Sequence, residues 1–225
     1  MIIKKVKYVL SILISLILIL ILTLLGCSKK IDNSKIKNKV DKTNEKITSN
    51  YLQSFFPSKE GMVFNFKGTG LEFASFIRQI VHKEDNFVQI HDNNGGTIVA
   101  SVYKIKENKI IKVLERPEFY SHSSLISEAR NIDNKEVILK GSLQEGEVWE
   151  SAGQKREIVE IIDNLKVPAG NFYDVIKIKI TPLEKSRSYE FYEYYAKNIG
   201  LIMKENRGEG YKVISKLSSY GLDLN

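Results

Sequence analysis

The stretch "VIKIKI" (175–180) alternates apolar and charged side chains without a break. Successive side chains of an extended chain point to opposite faces, so Ile176, Ile178 and Ile180 share one face while Lys177 and Lys179 share the other. A strand of this kind sits in an antiparallel sheet with one packed face and one wet face. Working outward from it, similar short alternations recur at 62–67, 87–91, 97–106, 110–115, 136–140, 148–151, 156–163, 172–181, 188–196, 201–205 and 211–217. Turn signals separate them. The strongest is Asp92-Asn93-Asn94-Gly95-Gly96, because Asn and Gly accept the positive φ that tight hairpin turns require. Others are Ala152-Gly153-Gln154, Val167-Pro168-Ala169-Gly170, Lys197-Asn198-Ile199-Gly200 and Arg207-Gly208-Glu209-Gly210. Many short strands joined by hairpins, with no strand-helix-strand spacing, predict an all-β fold: a curved antiparallel meander sheet or open half-barrel.

Two segments fit the pattern less cleanly. "LEFASFIRQIV" (71–81) places Phe73, Phe76, Ile77, Ile80 and Val81 at helical spacing, yet also continues toward the strand at 87–91; the strand is the preferred reading. Residues 116–134, with Pro117, four Ser and His122, read as the longest loop, with a helical turn at 124–130.

The N-terminus has a different character. Lys4, Lys5 and Lys7 precede a run of Leu and Ile from Val9 to Leu25, and such charges stay on the cytoplasmic side of a bilayer. The run ends in Leu24-Leu25-Gly26-Cys27, a small residue before the one cysteine of 225 residues. This resembles the bacterial lipobox, which implies a diacylglyceryl group on the Cys27 sulfur and cleavage before it. Leu25 is bulkier than the residue usual at that position. The alternative is an uncleaved transmembrane anchor, since the run is near the length that spans hydrocarbon. Both place the rest of the chain outside the cytoplasm. A lipidated Cys27 leaves no thiol for a disulfide, so stability must come from a hydrophobic core.

The net charge of +7 is confined to this end of the chain. Residues 28–50 hold seven Lys against three acids, whereas from Tyr51 onward 24 basic residues balance 24 acidic ones. A neutral domain argues against nucleic acid as a partner, and the excess Lys lies where anionic lipid would attract it. Residues 28–50 lack aromatics, Gly and Pro and cannot bury enough apolar surface to offset chain entropy, so they read as a disordered tether. The domains are therefore a signal peptide at 1–26, a lipidated Cys27 with its tether at 27–50, and an all-β domain at 51–225.

No catalytic motif stands out. The chain has no Gly-x-Ser-x-Gly elbow, no P-loop and no His-Glu-x-x-His. His82, His91 and His122 lack metal-ligand spacing, so neither a metal nor a cofactor is expected. Glu145, Glu147, Glu150, Glu157, Glu160, Glu190 and Glu193 alternate with apolar neighbours, as solvent-facing strand positions do. The aromatic stretch "SYEFYEYYAK" (188–197) puts Tyr189, Phe191 and Tyr195 on one strand face and Tyr192 and Tyr194 on the other. Cross-strand packing explains most of this, and the sharper reading makes Trp149, Tyr189, Phe191 and Tyr195 the wall of a groove for a hydrophobic ligand or glycan.

Taken together, "GEVWESAGQKREI" (146–158), "VPAGNFYDVIKIKI" (167–180) and "YYAKNIGLIMKE" (194–205), with "FFPSKEGMVFNFKGTG" (55–70) and "VQIHDNNGGT" (88–97), resemble uncharacterised membrane lipoproteins of clostridial-type, Gram-positive bacteria. The resemblance implies a curved antiparallel sheet akin to lipid-carrier half-barrels and carries over no catalytic residue. The expected function is that of a membrane-anchored, extracytoplasmic lipoprotein that acts without catalysis, as a binding or structural module of the cell envelope. A lipid carrier with a groove on its sheet and an envelope hydrolase are the alternatives.

Overall fold

The computed structural model describes residues 51–133, 135–184 and 189–223. The signal segment, Cys27 and the tether lie outside the described residues. Twelve strands form one antiparallel sheet: β1 (Met62–Thr69), β2 (Phe76–Glu84), β3 (Phe87–Asn93), β4 (Ile98–Lys106), β5 (Lys109–Arg116), β6 (Glu136–Lys140), β7 (Val148–Ser151), β8 (Gln154–Val167), β9 (Gly170–Pro182), β10 (Tyr189–Ala196), β11 (Gly200–Gly208) and β12 (Tyr211–Leu222). The order is β6-β5-β4-β3-β2-β1-β12-β11-β10-β9-β8-β7, two six-strand meanders joined where β1 pairs with β12. The predicted meander is present, and it curls further than an open half-barrel.

Its two edges, β6 and β7, meet across a seam that side chains close. The indole Nε1–H of Trp149 donates to the carbonyl of Val137 at 2.9 Å, and the Val137 amide donates to Ser151 Oγ at 2.8 Å. Two side chains of β7 thus satisfy both backbone groups of one edge residue in β6. An unpaired edge would otherwise be a template for another chain.

The stretch that decides the fold behaves as its alternation requires. Ile176, Ile178 and Ile180 are buried in the core. On the opposite face Lys177 pairs with Glu160 at 2.8 Å, and Lys155 with Glu157 at 2.8 Å. Segment 71–81 divides: a 3-10 turn at Glu72–Ala74, then β2 from Phe76. The aromatic pair Phe66 and Phe76 stacks at 4.3 Å between β1 and β2, and this packing outweighs the helical spacing.

Residues 51–57, assigned to no element from sequence, plug the barrel. Leu52 and Phe55 are fully buried and Phe56 sits 4.9 Å from the Tyr103 ring. The Asn198 amide donates to the Ser54 carbonyl at 2.6 Å, tying the plug to the β10–β11 turn. Gly200 has φ +85°, and a Cβ there would stand 2.3 Å from Pro57 Cδ. Glycine alone permits both the turn and the close approach.

The loop after β5 lies over the outer face of β3 to β5. Its helical turn, α1 (Ile126–Ala129), falls inside the span expected for it. Leu125, Ile126 and Ala129 pack there on Phe87, Ala100, Val102, Ile111 and Val113. Buried Gln89 fixes the strap: the Leu125 amide donates to its Oε1 at 2.6 Å, and its Nε2 donates to the Ser123 carbonyl at 3.1 Å.

Trp149→Phe keeps a ring at the seam but removes the donor to Val137. The unfolding free energy should fall by about 1–3 kcal/mol, the cost of leaving a half-buried carbonyl unpaired, read as a shifted denaturant midpoint at unchanged slope. An unchanged midpoint would mean that the bond does not hold the seam.

Candidate functional site

Inside the barrel, above the plug, lies a cavity of about 310 Å³. Phe56, Pro57, Phe64, Ile80, Ile90, Ile138 and Leu201 form its apolar surface. Eight charged side chains also face it: Arg78, Lys112, Arg156 and Lys204, with Asp92, Glu115, Glu136 and Glu193. So polar an interior is unusual, because charges leave water only where they are paired.

The pairing runs around the wall. Arg78 on β2 grips Asp92 on β3 with two bonds, 2.8 and 2.7 Å. Lys112 on β5 reaches Glu115 and, at 2.9 Å, Glu136 on β6. Arg156 on β8 continues the chain, to Glu136 at 2.6 Å and to Glu193 on β10 at 3.1 Å. Tyr195 donates to Glu193 at 2.8 Å. The Arg156–Glu136 pair crosses the same seam that Trp149 and Ser151 close.

Burial alone would raise the carboxyl groups, but their partners win. Asp92 is held below its ordinary value by the Arg78 guanidinium. Glu136 is held down by Lys112 and Arg156, and Glu193 by Arg156 and then Lys204. All three are therefore ionised at neutral pH. Lys204 goes the other way: burial first, then the Arg78 charge, pushes its ammonium below the ordinary value.

Two β-bulges bring charge into the cavity. On β11, Tyr194 pairs with Met203 and Tyr195 with Leu201, so Ile202 is an extra residue. Strict alternation from Leu201 would turn Met203 inward; the bulge turns Lys204 inward instead. On β5 the register skips Val113, since Val102 pairs with Leu114 and Tyr103 with Lys112. Glu115 then faces the cavity while Val113 and Leu114 pack beneath the strap.

Of the four aromatics expected to line a groove, only Tyr195 lines the cavity. Trp149 is 5% exposed and serves the seam. Tyr189 and Phe191 pack edge to face at 5.0 Å, with Phe191 against the core. The expectation that Glu193 faces solvent is corrected: its strand face is the interior one, and its carboxylate is bonded to Arg156. Glu157 and Glu190 lie on the outer face with Lys155 and Lys179, and Glu147 accepts the Leu143 amide at 3.0 Å.

His82 Nε2 lies 2.6 Å from the His122 carbonyl. His91 is buried against Phe119, with its ring 2.9 Å from the Gln89 amide nitrogen. Among the described residues no three metal-ligating side chains converge. Sequence reasoning missed Arg78, Asp92, Lys112, Glu115, Glu136, Arg156 and Lys204. The one available signal was a charge at an alternation position otherwise apolar, as in Phe76-Ile77-Arg78-Gln79-Ile80.

No family model and no curated protein matches the sequence. The solved structures that it resembles include the following three. A candidate exported protein with a YmcC-like fold from Bacteroides fragilis NCTC 9343 has TM-score 0.44 and 13% identity, over 75% of this chain and 99% of that one. A candidate lipoprotein from Parabacteroides distasonis ATCC 8503 has TM-score 0.40 and 16% identity, over 74% and 98%. The hypothetical lipoprotein YmcC from Escherichia coli K12 has TM-score 0.33 and 8% identity, over 86% and 98%. These are distant likenesses of fold.

The depressed carboxyl groups set the sign of an acid effect. A group whose folded value lies below its unfolded one stabilises the fold above the unfolded value and loses that contribution as pH falls. Stability should therefore decline below the ordinary values of 3.8 for Asp92 and 4.5 for Glu136 and Glu193. Glu136→Gln should cost about 3–5 kcal/mol at pH 7, as when one partner of a buried pair is removed, and should flatten the acid limb. Denaturant titrations of both proteins from pH 7 to pH 3 check this; parallel curves would contradict it.

Proposed function

We propose that this chain is an exported lipoprotein, of the clostridial-type family that its sequence resembles, anchored through diacylglyceryl-modified Cys27. Its barrel serves as a non-catalytic binding module on the outer side of the membrane. The observation that carries the binding reading is the cavity: about 310 Å³ of space inside a barrel, lined by charges on seven strands. That volume is at the small end of ligand sites, which combine apolar walls with a few placed polar groups. Apolar side chains filling the same space would be neutral or stabilising relative to buried ion pairs. Apart from the Arg156–Glu136 contact that ties the seam, stability therefore gives little reason for so many interior charges, and their presence supports a role in recognition.

The electrostatics favour binding over acid catalysis. A general acid needs a raised carboxyl pKa, whereas Asp92, Glu136 and Glu193 are all lowered. The charged lining also suits a small polar ligand better than a long acyl chain. Native mass spectrometry of the chain extracted from cell membranes tests this reading. The expected species starts at a diacylated Cys27 and retains a non-covalent small molecule. Ser101 of β4 also lines the cavity, and Ser101→Phe, which fills the space, should lose that molecule. A bare chain, or equal retention by both proteins, would overturn the binding reading.

A further inference from the structure

The cavity's donors and acceptors are not balanced, although its formal charges are. Every carboxylate facing it is already engaged. Asp92 offers both oxygens to Arg78. Glu136 gives one oxygen to Arg156 and the other to Lys112. Glu193 takes bonds from Arg156 and Tyr195, and Glu115 pairs with Lys112.

The donors, by contrast, are in surplus. Among the described residues Lys204 has no carboxylate within ion-pair distance; its ammonium lies 5.1 Å over the Phe76 ring. It stands directly opposite Glu193 across the β10–β11 ladder, but Glu193 is turned to Arg156. Arg156 is 3% exposed, and its Nε–H is buried without a partner. A buried donor with nothing to bond costs about 1–3 kcal/mol. Arg156 Nε–H is such a donor, and the half-buried Lys204 ammonium shares with it the cavity wall beside Glu193. One unpaired cation asks for one negative charge, and the apolar wall of Phe64, Ile80 and Ile90 leaves room for a hydrocarbon body.

We propose that the cavity binds a small organic monocarboxylate, its carboxylate on Lys204 Nζ and Arg156 Nε and its apolar part against Phe64, Ile80 and Ile90. The inference rests on the binding-module reading and adds the ligand's charge and class. The groups facing Lys204 are Arg78 on β2, Asp92 on β3, Lys112 on β5 and Glu193 on β10. With its pKa depressed among them, Lys204 loses its proton earlier than an ordinary lysine as pH rises, and carboxylate affinity should fall with it.

The test is calorimetry of the full chain in zwitterionic lipid nanodiscs, with hexanoate and its neutral isostere hexanamide as probes. Hexanoate should bind at least tenfold more tightly than hexanamide. Lys204→Met should abolish that preference and Lys204→Arg should restore it, with folding of each variant checked by circular dichroism. The comparison of the two probes uses the unaltered chain, so it decides the question even if a variant misfolds. Equal affinity for both probes would overturn the monocarboxylate while leaving the cavity a binding site. Binding of neither would overturn the monocarboxylate too, and retention of a native ligand in mass spectrometry would then decide the binding reading separately.

Discussion

The contact on which the rest of the molecule depends is the one between Arg156 and Glu136, at 2.6 Å across the seam. A meander of twelve strands has two free edges, and here the edges carry no mutual backbone ladder. Side chains do the joining. Trp149 and Ser151 satisfy the backbone of Val137, and Arg156 ties β8 to β6 from within. Arg suits this role because its planar guanidinium serves Glu136 and Glu193 at once. Closure of the sheet and assembly of the charged cavity are thus one event: without the seam the interior charges would face water, and without the charges the inner side of the seam would lack a bond.

Much of the fold was legible in the alternation. "VIKIKI" assigns inside and outside for β9, and every strand expected from period two is present, most with ends extended by a few residues. Turn chemistry held as well, down to Asn198 taking φ 65° where glycine is common. What escaped was everything that breaks the period. A bulge adds one residue and reverses the facing of all that follow, so Glu115 and Lys204 read as outward while they point in. The plug at 51–57 escaped because its apolar residues show no period at all: Leu52, Phe55 and Phe56 are buried by where the chain goes, not by how it repeats.

The site was barely legible for a related reason. Charged residues on strands are by default on the wet face, and Glu157, Glu160 and Glu190 obey. Glu193, Glu136 and Arg156 do not, because each finds its partner on a strand distant in sequence. Pairings such as Arg156–Glu136, twenty residues apart and joining β8 to the edge strand β6, emerge only when the sheet curls. The aromatic stretch 188–197, which looked like the ligand wall, is mostly spent on packing, with Tyr195 alone reaching the cavity.

Closure of the sheet by side chains creates the site inside it. Amide hydrogen exchange at Val137, followed by NMR, tests it most directly. The Val137 amide, bonded to Ser151 Oγ, should exchange as slowly as ladder amides in neighbouring β5, with the Trp149 indole proton protected alongside it. Exchange of both at the rate of a free strand edge would contradict closure, and with it the enclosed cavity.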